Sequence, residues 1–275
     1  MPKVLGKAIS RALSAYYLGP DHPMKMRIWY GMRRLTGSPR LTIPYAGRGW
    51  ITVDERDMLQ REILVNGAYE PEVWESLAEL ARGGEVVWDI GANIGSFAVR
   101  ALNDPRVAEV HAFEPDPISA EVLETNLGLN RGRYVLHRVA LSSTRETRAL
   151  HHGPTANTGI SGFANTNSSA SFEVRCETLD SLVFDHGLPA PTLVKIDVEG
   201  WEAEVLRGAA RLLATRPPRG IAVELECDAE GRITDRAPLE LLEGAGYEVR
   251  WVRRRSGEVE ARENYLAVQR APVGR

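Results

Sequence analysis

The chain has 275 residues, 43% hydrophobic and 26% charged, with a formal net charge of −3. This is the composition of an ordinary globular protein with room for one sizeable core and an appendage, and its mild acidity gives no general drive toward nucleic acid or an anionic membrane. Cys176 and Cys227 fit neither a metal spacing nor a disulfide framework, no apolar run approaches a membrane span and no leader with a cleavage site is legible, so a reducing, cytoplasmic setting without stable membrane insertion is expected.

Residues 1–40 carry eight Lys or Arg and a single acid, Asp21. Leu5, Ile9, Ala12, Leu13 and Tyr16 recur at helical spacing with Lys3, Lys7 and Arg11 on another face, which reads as a basic amphipathic helix. It suits packing on the domain or on a second subunit, and so a homo-oligomer contact; docking on a membrane surface is the alternative. A second helix is expected over 25–35. Leu41–Ile43 and Trp50–Val53, separated by Pro44, Gly47 and Gly49, read as a hairpin. A helix over 55–65 follows, then another that starts at Pro71 and presents Val73, Trp74, Leu77, Ala78 and Leu80. Residues 1–66 are expected to form an N-terminal extension and 67–275 the main domain.

Glu85–Ile90 is an apolar run suited to a strand buried on both faces. It runs into Gly91-Ala92-Asn93-Ile94-Gly95 and then into a helical stretch from Phe97. Strand, glycine turn and helix open a nucleotide-binding α/β unit, with amides at the helix start available to a ligand's polar part. A dinucleotide fingerprint would need Gly-x-Gly-x-x-Gly. The Gly-x-Asn-x-Gly found here, preceded by Asp89, suits a cationic ligand better than a pyrophosphate, and so points to S-adenosylmethionine (SAM). A nicotinamide oxidoreductase remains the rival on the same fold.

Strands are then expected at Val107–Phe113, Tyr134–Leu141, Leu193–Gly200 and Ile221–Glu226, with helices at Pro117–Leu129, from Trp201 to Leu213, and at Pro238–Ala245. Residues 144–180 look less regular, with Phe172–Arg175 as a short strand and polar loops at Asn157–Ser161 and Asn165–Ser171. Tyr247–Val252 and Tyr265–Val268 read as a terminal antiparallel pair joined near Ser256-Gly257. Alternating elements of this kind imply a three-layer α/β sheet.

Glu114 ends the second of these strands nineteen positions after Gly95, where an acid can bind ribose hydroxyls or sit at a helix start favoured by the dipole. Lys195, Asp197 and Glu199 share strand parity, and three charged residues on one face are explained by a ligand at the carboxyl end of the sheet; a structural Lys–carboxylate pair is the plain alternative. Glu224 and Glu226 share parity on the next strand. With Asp197 either could hold a divalent metal, Mg²⁺, among oxygen ligands, bind substrate or pair with arginine. His111 and the His151-His152 pair read as packing or surface residues, and Arg253-Arg254-Arg255 as a solvated run.

Asp-Ile-Gly-Ala-Asn-Ile-Gly (89–95), Phe-Glu-Pro-Asp (113–116) and Lys-Ile-Asp-Val-Glu-Gly-Trp-Glu (195–202) together resemble the FkbM family of SAM-dependent methyltransferases. The octet is the most specific of the three. Gly67–Glu70, Val139–Leu141 and, loosely, the Asn157–Ser161 loop extend the resemblance over roughly residues 60–270. It implies a class I, Rossmann-like three-layer sandwich with a seven-stranded sheet in the order 3-2-1-4-5-7-6, mostly parallel with the seventh strand antiparallel. It also implies methylation of a hydroxyl on a sugar or polyketide-type natural product. By motif, Asp89, Gly91, Ala92, Asn93 and Gly95 would hold the methionine end of SAM and Glu114 the ribose. Pro115, Asp116 and Ala140 would lie near the adenine. Asp197 and Glu199 would face the transferred methyl and the acceptor. For in-line attack by an acceptor oxygen, Asp197 is expected as the base and Glu199 as the group orienting the acceptor. A SAM-binding interaction protein without activity is a further alternative. A nucleic-acid enzyme fits less well, because the Asn/Asp-Pro-Pro-Tyr/Phe signature of amino-methylating enzymes is absent.

Overall fold

A computed structural model describes residues 16, 24, 27–28, 40–151, 163, 171–255, 257 and 259–270. Most of the two N-terminal helices, the loops Asn157–Ser161 and Asn165–Ala170, and Ser256 lie outside the described residues.

β1 (Arg40–Tyr45) and β2 (Gly49–Asp54) form the expected antiparallel hairpin, with Ile43 opposite Ile51. α1 (Met58–Asn66) is capped by the Asp57 carboxylate, which accepts from the amide of Gln60, and α2 (Pro71–Ala78) begins on its proline. The first core strand is β3 (Glu85–Ile90), followed by α3 (Ser96–Leu102), β4 (Val107–Phe113) and α4 (Pro117–Gly128).

Here the structure departs from the expected single strand over 134–141. The chain breaks into β5 (Tyr134–His137), which edges the main sheet, and β6 (Ala140–Leu141), which leaves it. β6 joins β7 (Glu146–His151) and β8 (Ser171–Glu177) in a separate three-stranded sheet of order β6-β8-β7. The region that looked irregular therefore carries two strands and a helix, α5 (Leu179–Phe184), whose Thr178 and Ser181 form a reciprocal cap. The signal for that helix start was present in Thr178-x-x-Ser181.

β9 (Leu193–Ile196) returns to the main sheet. The helix expected from Trp201 to Leu213 is two, α6 (Glu202–Arg207) and α7 (Ala210–Thr215). They part at Gly208, where an added Cβ would sit 2.1 Å from the carbonyl oxygen of Ser142; the backbone passes too close to the end of β6 for any side chain. β10 (Gly220–Glu226), α8 (Arg236–Gly244), β11 (Tyr247–Trp251) and β12 (Arg262–Gln269) complete the chain.

The main sheet has the order β5-β4-β3-β9-β10-β12-β11. β5, β4, β3, β9 and β10 run parallel, and β12 is antiparallel to both β10 and β11. This is the 3-2-1-4-5-7-6 order of a class I methyltransferase sheet. Strand alternation splits the core in two. Val87, Val110, Ala112, Leu193, Ala222 and Leu266 face α1–α4 and the hairpin, while Trp88, Ile90, Phe113, Val194, Ile196 and Val223 face α5–α8. Asp89, Lys195 and Glu224 share the parity of the first set, so three charges stand on the hairpin side of the sheet at its carboxyl edge.

Two asparagines, Asn126 in α4 and Asn130 just past its end, tie the hairpin down. Asn126 accepts from the Thr52 amide at 2.7 Å and donates to Thr52 O at 3.2 Å and to Ile94 O at 2.8 Å. Asn130 exchanges bonds of 2.9 and 2.8 Å with the Trp50 backbone. One buried side chain thus joins the hairpin, α4 and the Gly91–Gly95 loop, satisfying backbone groups that strand pairing cannot reach.

Candidate active site

The carboxyl ends of β3, β4 and β9 open into a cleft, lined on one side by Gly91, Ala92, Asn93, Glu114 and Pro115 and on the other by Lys195, Asp197, Glu199 and Glu224. Phe113, Val139, Ala140, Leu141 and Leu150 add an apolar lining, and Leu59 and Tyr69 line it from the N-terminal region. This is the place where open α/β sheets take ligands.

The glycine loop is wound tightly. Gly91, Asn93 and Gly95 have φ of 80°, 49° and 90°, a left-handed region that glycine enters freely and asparagine tolerates. Gly91 is further constrained, since a Cβ there would lie 1.7 Å from the carbonyl oxygen of Asp197. The loop's amides are spent internally: Gly91 and Ala92 donate to Phe113 O at 3.0 Å, Gly95 donates to Ala92 O at 2.8 Å, and Asn93 donates to Glu114 Oε2 at 2.7 Å. The loop offers the cleft no free anion-binding amides at these four positions, and that weighs against a pyrophosphate.

The expected cofactor residues fall into two groups. Gly91, Ala92, Asn93, Glu114, Pro115 and Ala140 line the cleft, whereas Asp89, Gly95 and Asp116 do not. Asp89 is fully buried beneath the loop, in register with Lys195 on β9; burial pushes its carboxyl up to about 6, with Lys195 pulling the other way. Gly95 heads α3. Asp116 caps α4, accepting from the amides of Ile118 at 2.8 Å and Ser119 at 3.4 Å. Glu114 accepts from Asn93 and, through Oε1, from the Asp116 amide at 2.8 Å. Burial nevertheless pushes its carboxyl up to about 8.

Of Lys195, Asp197 and Glu199, only Lys195 stands on a strand face, as Glu224 does on β10. β9 stops at Ile196, and the Asp197 amide donates to Ile90 O at 3.0 Å as the chain leaves the sheet. Glu199 then adopts φ 53° and Gly200 φ 93°. A turn, rather than a strand face, therefore brings the acids together. One oxygen each of Asp197, Glu199 and Glu224 lies within 4.8 Å of the others. Lys195 Nζ donates to Asp197 Oδ2 at 2.6 Å. Burial opposes the Lys195 charge, but Asp197, Asp89 and Glu70 outweigh it and hold the ammonium protonated. Burial, reinforced by Asp197, pushes the Glu199 carboxyl up to about 7 and also raises that of Glu224.

Sequence reasoning missed several residues here. Glu70, buried with φ 41° at the start of α2, is raised by burial and Asp197 to about 7. Its partner Arg254, expected in a solvated run, has a side chain only 11% exposed and reaches Glu70 at 2.8 Å, Glu260 at 3.2 Å and Glu263 at 3.4 Å. No local pattern marks a pair so distant in the chain. Phe163 and Trp201 pack at 5.1 Å on the cleft wall, with Arg148 stacked 4.6 Å over Trp201. His111 is a packing residue, 3.0 Å from His137 and against Trp88.

The profile of the methyltransferase FkbM domain matches residues 89–249, more than half of the chain. The chain belongs to the FkbM methyltransferase family. Similar proteins include the hexuronic acid methyltransferase AglP of Haloferax volcanii, 33% identical over 144 residues, 52% of this chain and 58% of that one. Another is the 31-O-demethyl-FK506 methyltransferase FkbM of Streptomyces tacrolimicus, 29% identical over 58% of this chain and 70% of that one. A third, the 2-O-methyltransferase NoeI of Sinorhizobium fredii, is 30% identical over 59% of this chain and 73% of that one. A crystal structure of methyltransferase FkbM from Methylobacillus flagellatus KT aligns with 96% of this chain and 59% of that one at 17% identity, with a TM-score of 0.49.

The cleft of this FkbM-family chain fits SAM chemically. Asn93 Oδ1 is buried without a hydrogen-bond partner on the cleft wall, an acceptor suited to a cationic amino group. Among the described lining residues the acids Glu114, Asp197, Glu199 and Glu224 outnumber the cation Lys195, which suits a ligand carrying an ammonium and a sulfonium. Among the described residues no helix is long and apolar enough to cross a membrane.

Proposed function

We propose that this methyltransferase acts on oxygen, methylating a hydroxyl of a sugar or polyketide-type natural product. The observation that carries the reading is the Asp197–Gly200 turn, which faces two acids into the same cleft as the glycine loop. The similarity to a hexuronic acid, an FK506 and a 2-O-methyltransferase supports the same chemistry.

SAM, when bound, supplies an electrophilic methyl on a good leaving group. The work left to the protein is alignment and proton removal. Gly91, Ala92 and Asn93 would hold the methionine end, with Asp89 acting on it from beneath; Gly95 and Asp116 shape the loop and the α4 cap behind the wall. Glu114 would meet the ribose, and Pro115 and Ala140 would flank the adenine. Asp197 has one oxygen engaged by Lys195, so its free oxygen suits orienting the acceptor hydroxyl. Glu199, poised at about 7, suits taking the proton at neutral pH. These roles invert those expected from the motif. Leu59 and Tyr69 on the cleft wall support a role for the region before residue 70 in choosing the acceptor.

The acid cluster is spaced to admit a divalent cation, but the protein already places Lys195 at Asp197 and Arg262 at 3.3 Å from Glu224. We therefore expect transfer to continue in excess EDTA; loss of activity restored by Mg²⁺ would reverse this.

The test is to incubate the protein with methyl-labelled SAM and, separately, a neutral hexoside, a hexuronic acid and a macrolide alcohol, and to locate the label by NMR. An O-methyl product is expected. Labelling of nitrogen or carbon alone, or tight S-adenosylhomocysteine binding with no transfer to any acceptor, would overturn the proposal.

A further inference from the structure

The turn that carries Asp197 and Glu199 is held by side chains outside the cleft lining. Glu202, the first residue of α6, is 2% exposed. Its Oε1 accepts from the amides of Val198 and Gly200, both at 3.1 Å. The same oxygen lies 3.4 Å from Nη1 of Arg262, the first residue of β12. Nη1 of Arg262 also reaches Glu224 at 3.3 Å, and Nη2 reaches Glu226 at 3.3 Å. One carboxylate therefore binds the turn on both sides of Glu199, and one guanidinium pins that carboxylate to Glu224 on the neighbouring strand.

The turn needs such support. Glu199 sits in the left-handed region, which residues with a side chain rarely adopt unless the surroundings over-determine it. Burial opposes the charge of Arg262, but Glu202, Glu224 and Glu199 outweigh it, so the cation is bound to the cluster it organises. Neither Arg262 nor Glu202 lines the cleft. Any effect they have on chemistry passes through the turn or through Glu224, which Arg262 pairs.

We propose that Glu202 and Arg262 are positioning residues of methyl transfer, holding the Asp197–Gly200 turn so that Glu199 faces the cleft. The proposal rests on the reading of Glu199 as proton acceptor. The pair does for this turn what the internal amide bonds do for the glycine loop. Removing either partner leaves the other charge buried, and the turn loses its anchor.

The test joins backbone exchange to kinetics. In Glu202→Ala and Arg262→Met, amide hydrogen exchange at Val198 and Gly200 should rise by about tenfold or more, the signature of local opening. With an acceptor found as above, kcat should fall by about 100-fold, the scale of a misplaced catalytic group, at near-constant acceptor KM and S-adenosylhomocysteine affinity. Arg262→Lys should recover part of the loss. Glu202→Gln keeps the accepting oxygen, so it guards against a variant that fails to fold; its exchange and kcat should fall between those of wild type and Glu202→Ala. Unchanged exchange would overturn the proposal, as would faster exchange with wild-type kcat. A raised acceptor KM at constant kcat in Arg262→Met would also overturn it, by making Arg262 a substrate contact. Wild-type turnover in Glu199→Gln would overturn the base reading alone, and the exchange rates would still decide whether the pair holds the turn.

Discussion

The cleft has two walls built on different principles. The glycine loop is held mainly through its backbone amides: those of Gly91 and Ala92 donate to Phe113 O and that of Gly95 to Ala92 O, while the Glu114 carboxylate takes the Asn93 amide and the Asn126 side chain donates to Ile94 O. The acid turn opposite is held by side chains drawn from α6 and β12. Both contain non-glycine residues at positive φ, Asn93 and Glu199. The first wall is therefore built largely from backbone bonds and is marked in the sequence by a spacing of small residues. The second is assembled over long range, and its tolerance to change should depend on residues that never touch a ligand.

The sharpest way to break the comparison is to strike where the walls meet. Gly91→Ala forces a Cβ onto the Asp197 carbonyl at a positive φ. Overpacking and the left-handed strain together cost about 3 kcal/mol or more. Thermal unfolding should show this loss, with S-adenosylhomocysteine binding abolished by calorimetry. Wild-type stability and binding would mean that the walls are not in contact. A smaller effect separates the two acids: Asp197→Asn should slow turnover less than Glu199→Gln, because Lys195 then loses its partner without the proton acceptor being removed. The reverse order would restore Asp197 as base.

The smallest effect is on stability against pH. Glu70 and Glu199 are raised to about 7 and Glu114 to about 8, above the ordinary carboxyl value. The folded state then holds protons that the unfolded state has released, so stability falls as pH rises through these values. His137, lowered by burial to about 4, acts only below about pH 6.5, where the unfolded imidazole gains its proton. The melting temperature of the ligand-free protein should accordingly fall between pH 6.5 and 8.5. A cationic ligand seated among the acids should reduce that slope. A melting temperature that rises across this window would contradict the burial of these carboxyls.

Much of the fold was legible because its signals are local. Hydrophobic runs ending in Gly91, Glu114 and Lys195 marked the strands, and Pro71 and Pro117 marked helix starts. The split of the third strand was not legible, since Val139–Leu141 stays apolar whichever sheet it joins. In the site, the glycine loop and Glu114 were readable from spacing. The acids were readable by motif but for the wrong geometric reason, because alternation cannot foresee a strand that ends at Ile196. Glu70 with Arg254, and Glu202 with Arg262, meet only through the tertiary fold, and no window of sequence contains both partners.

The central claim is that Glu199 takes the acceptor's proton while the glycine loop holds SAM. Turnover and S-adenosylhomocysteine affinity of Glu199→Gln, measured side by side, test it most directly. The account predicts turnover lowered by about 100-fold or more, the usual contribution of a general base, with affinity near that of the wild type. Turnover close to wild type would contradict it.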